Sequence, residues 1–304
     1  MSSVAASFER LRAHVQGEIA RDEPLANRTS VRVGGTAELF IQPKSASELA
    51  RVLEILADDG IGWHVLGGGA NTLVGDGGFR GAVLRLPNLP EVIEASADSI
   101  KVTLAAGSPI TKIVQLMRKQ KVTGAEFLAG VPGTIGGAVT MNAGTRDGWM
   151  QRVIHSIDVV SARGTQRLEG DALQFEYRRT HLPEGSVVIA ATCVLPRGDV
   201  EASEATMSKD LAYRRATQPL NLPNFGSCFV NPPGNGAGRL IEQVGLKGHR
   251  IGNAQISDVH ANFIVNLGGA KATDARGLLE LARNRVREAT GIELHPEVKF
   301  VGEF

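Results

Sequence analysis

Fifteen consecutive residues, 130–144 (GVPGTIGGAVTMNAG), carry five glycines, one proline and no charged side chain. Glycine gives up more backbone freedom on folding than any other residue, so a run this dense implies that backbone approaches something very closely. Two arrangements meet that requirement: a tightly turned loop buried in an α+β core, or a row of bare backbone amides around a phosphate. The stretch alone leaves both open.

Residues 65–71 read VLGGGAN, an apolar strand running into three consecutive glycines and an asparagine. Two such loops, each following an apolar run, point to one large ligand held at two places. Neither is a standard nucleotide fingerprint. After Gly67 a G-x-G-x-x-G needs glycine where Thr72 stands, Pro132 occupies the third place of the other loop, and G-x-x-x-x-G-K-[ST] occurs nowhere. A Rossmann or P-loop assignment is therefore disfavoured.

At 304 residues the chain has room for two or three cores, and 42% hydrophobic with 21% charged residues is the balance of an ordinary soluble globular protein. A formal charge of +1, without a basic block or acidic tail, argues against a nucleic-acid partner. Cys193 and Cys228 have no CxxC or Cys/His spacing, and the histidines form no HxxH or HExxH, so a metal is not expected. The chain reads as reduced and cytosolic, with neither a signal-peptide core nor a membrane span.

Taken in order, residues 7–20 read as an amphipathic helix and 38–41 as a strand. Ser45 opens a helix, with Glu48 completing a capping box, Leu49, Val52, Leu53 and Leu56 on one face, and Gly60 as the stop. Strands at 63–66 and 81–86 complete a first unit, residues 1–86. The second unit, 87–198, has a strand at 99–105 and a helix begun by Pro109. The glycine stretch follows, then strands at 154–161, 165–168 and 186–195. The third, 199–296, has a charged helix at 201–217, a glycine-rich segment at 224–238 and a short helix at 238–244. A strand at 262–267 and a long helix at 273–290 complete it, and a last strand follows at 297–301.

Three places outside the glycine loops have side chains suited to chemistry. Arg178, in Tyr177-Arg178-Arg179-Thr180, presents a planar cation that stays protonated and is suited to a carboxylate, although the local sequence by itself favours a solvated surface role. Ser227 lies in NFGSCFVNPP, where Phe229 replaces the second glycine of a hydrolase elbow; it reads as a turn serine or a proton donor. Glu297 begins the last strand, and nothing local distinguishes it from a solvated glutamate.

Together these stretches resemble the UDP-N-acetylenolpyruvoylglucosamine reductase family, flavoenzymes of bacterial cell-wall synthesis. The resemblance rests on TSVRVGG, VLGGGANTLV, GAEFLAGVPGTIGGAVTMNAG, FEYRRT, RRATQPL, FGSCFVNPP, AGRLIEQVGLKGHRIG, HANFIVN and GIELHPEVKFVGE, in the family's order from about residue 27 to 303. It implies an α+β chain. Two subdomains would form a vanillyl-alcohol-oxidase (PCMH-type) FAD fold, followed by an α+β substrate domain, with the strand at 297–304 returning to the first unit.

By the same resemblance FAD is bound non-covalently by Gly67, Gly68, Gly69, Ala70 and Asn71 and by Gly130, Val131, Pro132, Gly133, Ile135, Gly136 and Gly137. NADPH is the hydride donor and UDP-N-acetylglucosamine enolpyruvate the substrate, with Arg178, Ser227 and Glu297 as catalytic residues. Ser227 would donate the proton, and Arg178 and Glu297 would stabilise charge on the substrate carboxylate. Tyr177, Arg214, Gln218 and Asn231 would touch the substrate. The implied enzyme is a monomer of the bacterial cytoplasm. Two departures stand out. Val230 occupies a place where the family often has Lys or Gln, and the short segment between Arg179 and Ser186 has no room for the tyrosine-bearing loop of the family's first type. The chain is similar to the second type. Two other readings stay open: a different FAD-dependent oxidase or dehydrogenase of the same fold, and a non-catalytic flavin-binding protein.

Overall fold

Buried and half-buried residues alternate along Ser99–Ala105, the pattern of a strand covered on one face, and it pairs antiparallel with Val187–Pro196, Ala105 opposite Ala190. The computed structural model describes residues 3–87 and 89–304. Those two strands are the centre of a five-stranded antiparallel sheet ordered Gly164–Glu169, Ile154–Ser161, Val187–Pro196, Ser99–Ala105, Val92–Ala95. A four-stranded sheet has the order Glu18–Pro24, Thr36–Gln42, Phe79–Leu84, Trp63–Val65. The helix Ala46–Asp58 is capped by Ser45 as its sequence implies, the hydroxyl accepting the Glu48 amide at 3.1 Å, whereas the Glu48 carboxylate accepts the amide of Lys44, one residue before the cap, at 3.0 Å.

The chain separates into two compact units. The first comprises Met1–Arg21, Leu39–Gly68 and Gly81–Tyr213, and the second Asp22–Glu38, Gly69–Arg80 and Arg214–Phe304. One continuous core serves the first unit, running from Leu49, Val52 and Leu56 through Val102 and Leu104 to Ile157 and Cys193. In the second, a four-stranded sheet ordered Asn224–Ser227, Phe263–Asn266, Ala254–Ile256, Arg250–Ile251 packs with the helices Ala237–Gln243 and Ala272–Thr290. Lys299–Val301 pairs in parallel with Thr72–Val74, so the end of the chain lies against the segment that follows the first glycine loop.

Several elements differ from the sequence expectation. The first helix is Ser3–Arg12, and Glu18–Pro24 is a strand rather than helix. Gly17 explains the change: a Cβ there would lie 1.9 Å from the Gln42 carbonyl oxygen, so the chain passes another backbone where a helix cannot fit. Pro109 precedes the helix Thr111–Gln120 instead of opening it, because Pro109 bridges to Thr134 and the Ile110 amide donates to Gly133 O. Val92–Ala95 and the hairpin Gln174–Glu176 with Arg179–His181 are additional strands. No helix among the described residues is long and apolar enough to cross a membrane.

Candidate active site

In the first unit the two glycine-rich loops meet backbone to backbone. A Cβ on Gly67 would come within 2.6 Å of Thr134 Oγ1, and one on Gly68 within 2.9 Å of Gly133 Cα. No other residue allows that approach. The second loop then enters a short helix, Ile135–Thr140, capped by Thr134. Its amides divide by role: those of Val131, Ile135 and Gly136 donate to Leu128 O, Ser108 O and Ala106 O, and that of Gly137 to Thr134 Oγ1. Ile135 and Gly136 are buried, whereas Gly68, Gly130, Pro132 and Gly137 are exposed and uncharged.

The far end of the same stretch holds Arg178. Tyr177 and Arg178 form the two-residue turn of the hairpin Gln174–Glu176 and Arg179–His181. Three contacts seat it. The buried Asn142 amide nitrogen donates to Glu176 O at 3.0 Å, Thr180 Oγ1 donates to Val139 O at 2.5 Å, and Arg178 Nη1 donates to Gly144 O at 3.0 Å. The Arg178 guanidinium lies 5.1 Å from the centroid of the exposed Tyr177 ring. Arg178 has φ +57°, a left-handed conformation that an arginine adopts only under constraint.

In the second unit the remaining part of the first glycine loop meets Glu297 and Gly226, the residue before Ser227. Gly69 has φ +62° and passes Thr29 so closely that a Cβ would lie 2.6 Å from its Cα. Ser30 holds it, with amide and hydroxyl both on Gly69 O at 3.2 and 3.0 Å. Asn71 Nδ2 donates to Glu297 O at 3.1 Å, and the Asn71 carbonyl accepts the Lys299 amide. The Glu297 amide donates to Cys228 O at 2.8 Å, which ties the carboxylate-bearing residue to the neighbour of Ser227. A Cβ on Gly226 would lie 3.5 Å from Ala70 O. Asn71 and Glu297, 226 positions apart in sequence, are thus hydrogen-bonded, and the two neighbours of Ser227 lie against the same pair of segments, Gly226 near Ala70 O and Cys228 O on the Glu297 amide.

The other expected residues take separate positions. Asn231 Oδ1 accepts the Ala237 amide at 2.9 Å and so holds the start of a helix. Gln218 Oε1 is buried with no hydrogen-bond partner. Arg214 begins the third stretch of the second unit, and its Nε is buried. Val230 donates its amide to His295 O. The Cys228 thiol is buried, and that burial, with Glu297 nearby, pushes its pKa upward; it packs as a neutral core group. Sequence reasoning did not single out Asn142, Ser30 or Asn262, although each lies within a quoted motif. Their polar side chains among apolar or glycine neighbours were the available signal.

Residues 218–301 match a family model described as the C-terminal domain of UDP-N-acetylenolpyruvoylglucosamine reductase, and residues 37–168 match one described as an FAD binding domain. The UDP-N-acetylenolpyruvoylglucosamine reductase of Myxococcus xanthus is 50% identical over 289 residues, covering 94% of this chain and 93% of the relative. That of Geobacter metallireducens is 40% identical, over 97% of this chain and 98% of the relative. Among solved structures, the UDP-N-acetylenolpyruvylglucosamine reductase of Thermus caldophilus superposes with a TM-score of 0.80. It is 34% identical, and the match covers 94% of this chain and 99% of that one.

Proposed function

The chain belongs to the UDP-N-acetylenolpyruvoylglucosamine reductase family, and from that membership we propose how its residues divide the work of making UDP-N-acetylmuramate. It is an FAD-dependent oxidoreductase of peptidoglycan precursor synthesis that uses NADPH to reduce UDP-N-acetylglucosamine enolpyruvate. The close approach of Gly67 and Gly68 to Thr134 and Gly133, with exposed bare backbone at Gly68, Gly130 and Gly137, fits a diphosphate-bearing cofactor. In this reading those residues hold FAD together with Gly69, Ala70, Asn71, Val131 and Pro132, while Ile135 and Gly136 support the loop from beneath. When bound, FAD supplies the two-electron hydride relay between NADPH and the enolpyruvyl double bond.

The protein's own part is to manage charge and one proton. Hydride on the substrate's methylene carbon leaves negative charge on the adjacent carbon, and that charge spreads into the carboxylate. Arg178 answers it with a fork that cannot deprotonate, held at its turn by Gly144 O. Ser227 donates its hydroxyl proton to the carbon, completing the lactyl group. Glu297 serves the carboxylate as a hydrogen-bonding acid. The observation that supports this assignment most directly is the Glu297 amide on Cys228 O, which makes the positions of Ser227 and Glu297 interdependent. Tyr177, Arg214, Gln218 and Asn231 contact the substrate; the unpartnered Gln218 Oε1 offers a substrate N–H or O–H an acceptor. The reading further takes the enzyme to be a monomer of the bacterial cytoplasm without a nucleic-acid partner, with which a formal charge of +1 agrees.

An anaerobic visible spectrum tests the whole reading. The purified protein is expected to be yellow, to bleach with NADPH, and to recover colour on addition of UDP-N-acetylglucosamine enolpyruvate. A protein that cannot be loaded with FAD overturns the cofactor assignment. One that bleaches and stays bleached with the enolpyruvyl sugar overturns the substrate.

A further inference from the structure

The ladder that carries Ser227 is irregular. It runs from Asn224 opposite Val265 to Ser227 opposite Phe263 with a register shift between, and Gly226 stands at φ +80°. Past Ser227 a single residue takes over the pairing. The Asn262 carbonyl accepts the Cys228 amide at 2.8 Å, its Oδ1 accepts the Phe229 amide at 3.0 Å, and its Nδ2 donates to Phe229 O at 2.8 Å. Its side chain thus imitates a strand residue. Only one orientation of the amide satisfies an N–H and a C=O at once. Asn262 is 3% exposed, and its own amide donates to His260 Nδ1 at 3.1 Å. That bond requires Nδ1 to be unprotonated. Burial, with Lys247 nearby, lowers the His260 pKa and so favours the neutral ring.

The opposite edge of the same segment is bound by the residues just before the last strand: Glu297 donates its amide to Cys228 O, and Val230 donates to His295 O. Residues 228–230 are therefore held from both sides, by Asn262 on one edge and residues 295–297 on the other. We propose that Asn262 is the positioning residue for proton transfer, fixing through Cys228 and Phe229 where Ser227 Oγ and Glu297 stand relative to each other. This rests on the roles of Ser227 and Glu297 given above. Proton donation requires hydrogen-bond reach, so loss of the clamp should slow the step that uses Ser227 far more than reduction by NADPH. Asparagine is specific here. Alanine would leave the Phe229 N–H and C=O buried without partners, and an ionised aspartate would set an oxygen against the Phe229 carbonyl.

The test is anaerobic stopped-flow on FAD-loaded wild type, Ser227→Ala, Asn262→Ala and Asn262→Asp, reading the rate of flavin reoxidation by UDP-N-acetylglucosamine enolpyruvate against that of reduction by NADPH. In Asn262→Ala the ratio is expected to fall about 100-fold, mainly in kcat and not in KM, as for loss of a general acid. In Asn262→Asp the ratio is expected to be low at neutral pH and to recover as pH falls, because a protonated carboxyl reproduces the amide's donor and acceptor. Wild type measured at each pH is the reference for the other charged and titratable groups around the segment, His260, Glu297, Cys228, Lys247 and Glu242. An unchanged ratio in Asn262→Ala beside a slow Ser227→Ala overturns the inference alone. A wild-type ratio in Ser227→Ala overturns the role of Ser227 itself. Should Asn262→Ala fail to fold, Asn262→Asp decides, and a pH-independent deficit overturns the inference.

Discussion

Arg178 occupies backbone that disfavours it. A side chain at φ +57° costs about 1 kcal/mol relative to glycine, and the turn residue best suited to this place is not arginine. Two contacts return part of that cost: the hydrogen bond to Gly144 O and the stacking on Tyr177. Arg178→Gly relieves the strain and loses those contacts, so its stability should stay within about 1 kcal/mol of wild type. Turnover should fall by about 100-fold or more, as when a charge-stabilising donor is removed. Thermal unfolding beside steady-state kinetics separates the two effects; a Tm drop matching the loss of turnover would make Arg178 a structural residue. The two thiols present the opposite case. Burial pushes Cys193 up to about 12 and Cys228 upward as well, which keeps both neutral, Cys193 within the first unit's core and Cys228 next to Ser227.

At the level of elements, the helix Ala272–Thr290 begins with help from a distant carboxylate. Asp76, 196 positions earlier, accepts the Ala272 amide at 2.7 Å, and it also accepts the Thr273 amide and hydroxyl at 3.0 and 2.9 Å. Asp274 accepts the Lys271 amide as well, so two carboxylates satisfy the helix's first donors. Partial burial works to raise the Asp76 pKa, but the hydrogen bonds from Thr273 and Ala272 and the charge of Lys271 outweigh it and leave the pKa lowered. A depressed carboxylate adds stability that is complete above its unfolded pKa and disappears as pH falls through the folded value. Asp76→Ala should therefore cost about 1 kcal/mol at neutral pH, the size of a lost cap on a largely exposed group. The gap from wild type should close below about pH 4. Urea titrations at several pH values would measure it, and a gap that persists into acid would assign the loss to packing.

On the scale of the whole chain, neither unit is contiguous. The second draws Asp22–Glu38 and Gly69–Arg80 from the first third of the sequence and joins them to Arg214–Phe304. Val31, Val33 and Leu73 from those insertions are at most 2% exposed and share one cluster with Phe225, Ile264 and Leu278. A fragment ending at Tyr213 would present those side chains to water, and residues 214–304 alone would lack them. Burying an aliphatic side chain is worth about 1.5–3 kcal/mol, so three of them approach the stability of a small domain. Each fragment expressed separately should aggregate or be rapidly digested by protease, whereas the full chain resists. A cooperative, protease-resistant fragment 214–304 would refute this account of the second core.

Local rules were sufficient for the parts of the chain governed by local chemistry. Ser45 and Glu48 announce a cap, hydrophobic period marks the helices Ala46–Asp58 and Ala272–Thr290, and alternation marks Ser99–Ala105. The density of glycine between residues 130 and 144 signals close backbone approach before any partner is known. The family resemblance, resting on short motifs in order, adds the cofactor and the reaction. Tertiary structure alone decided what each close approach meets. That Gly67 faces Thr134, that Asn71 holds Glu297, that Asp76 caps a helix 196 positions away and that Asn262 finishes the strand of Ser227 are all long-range pairings. A sequence encodes their donors and acceptors one residue at a time, but a hydrogen bond depends on distance and angle, and those exist only once the chain has closed on itself.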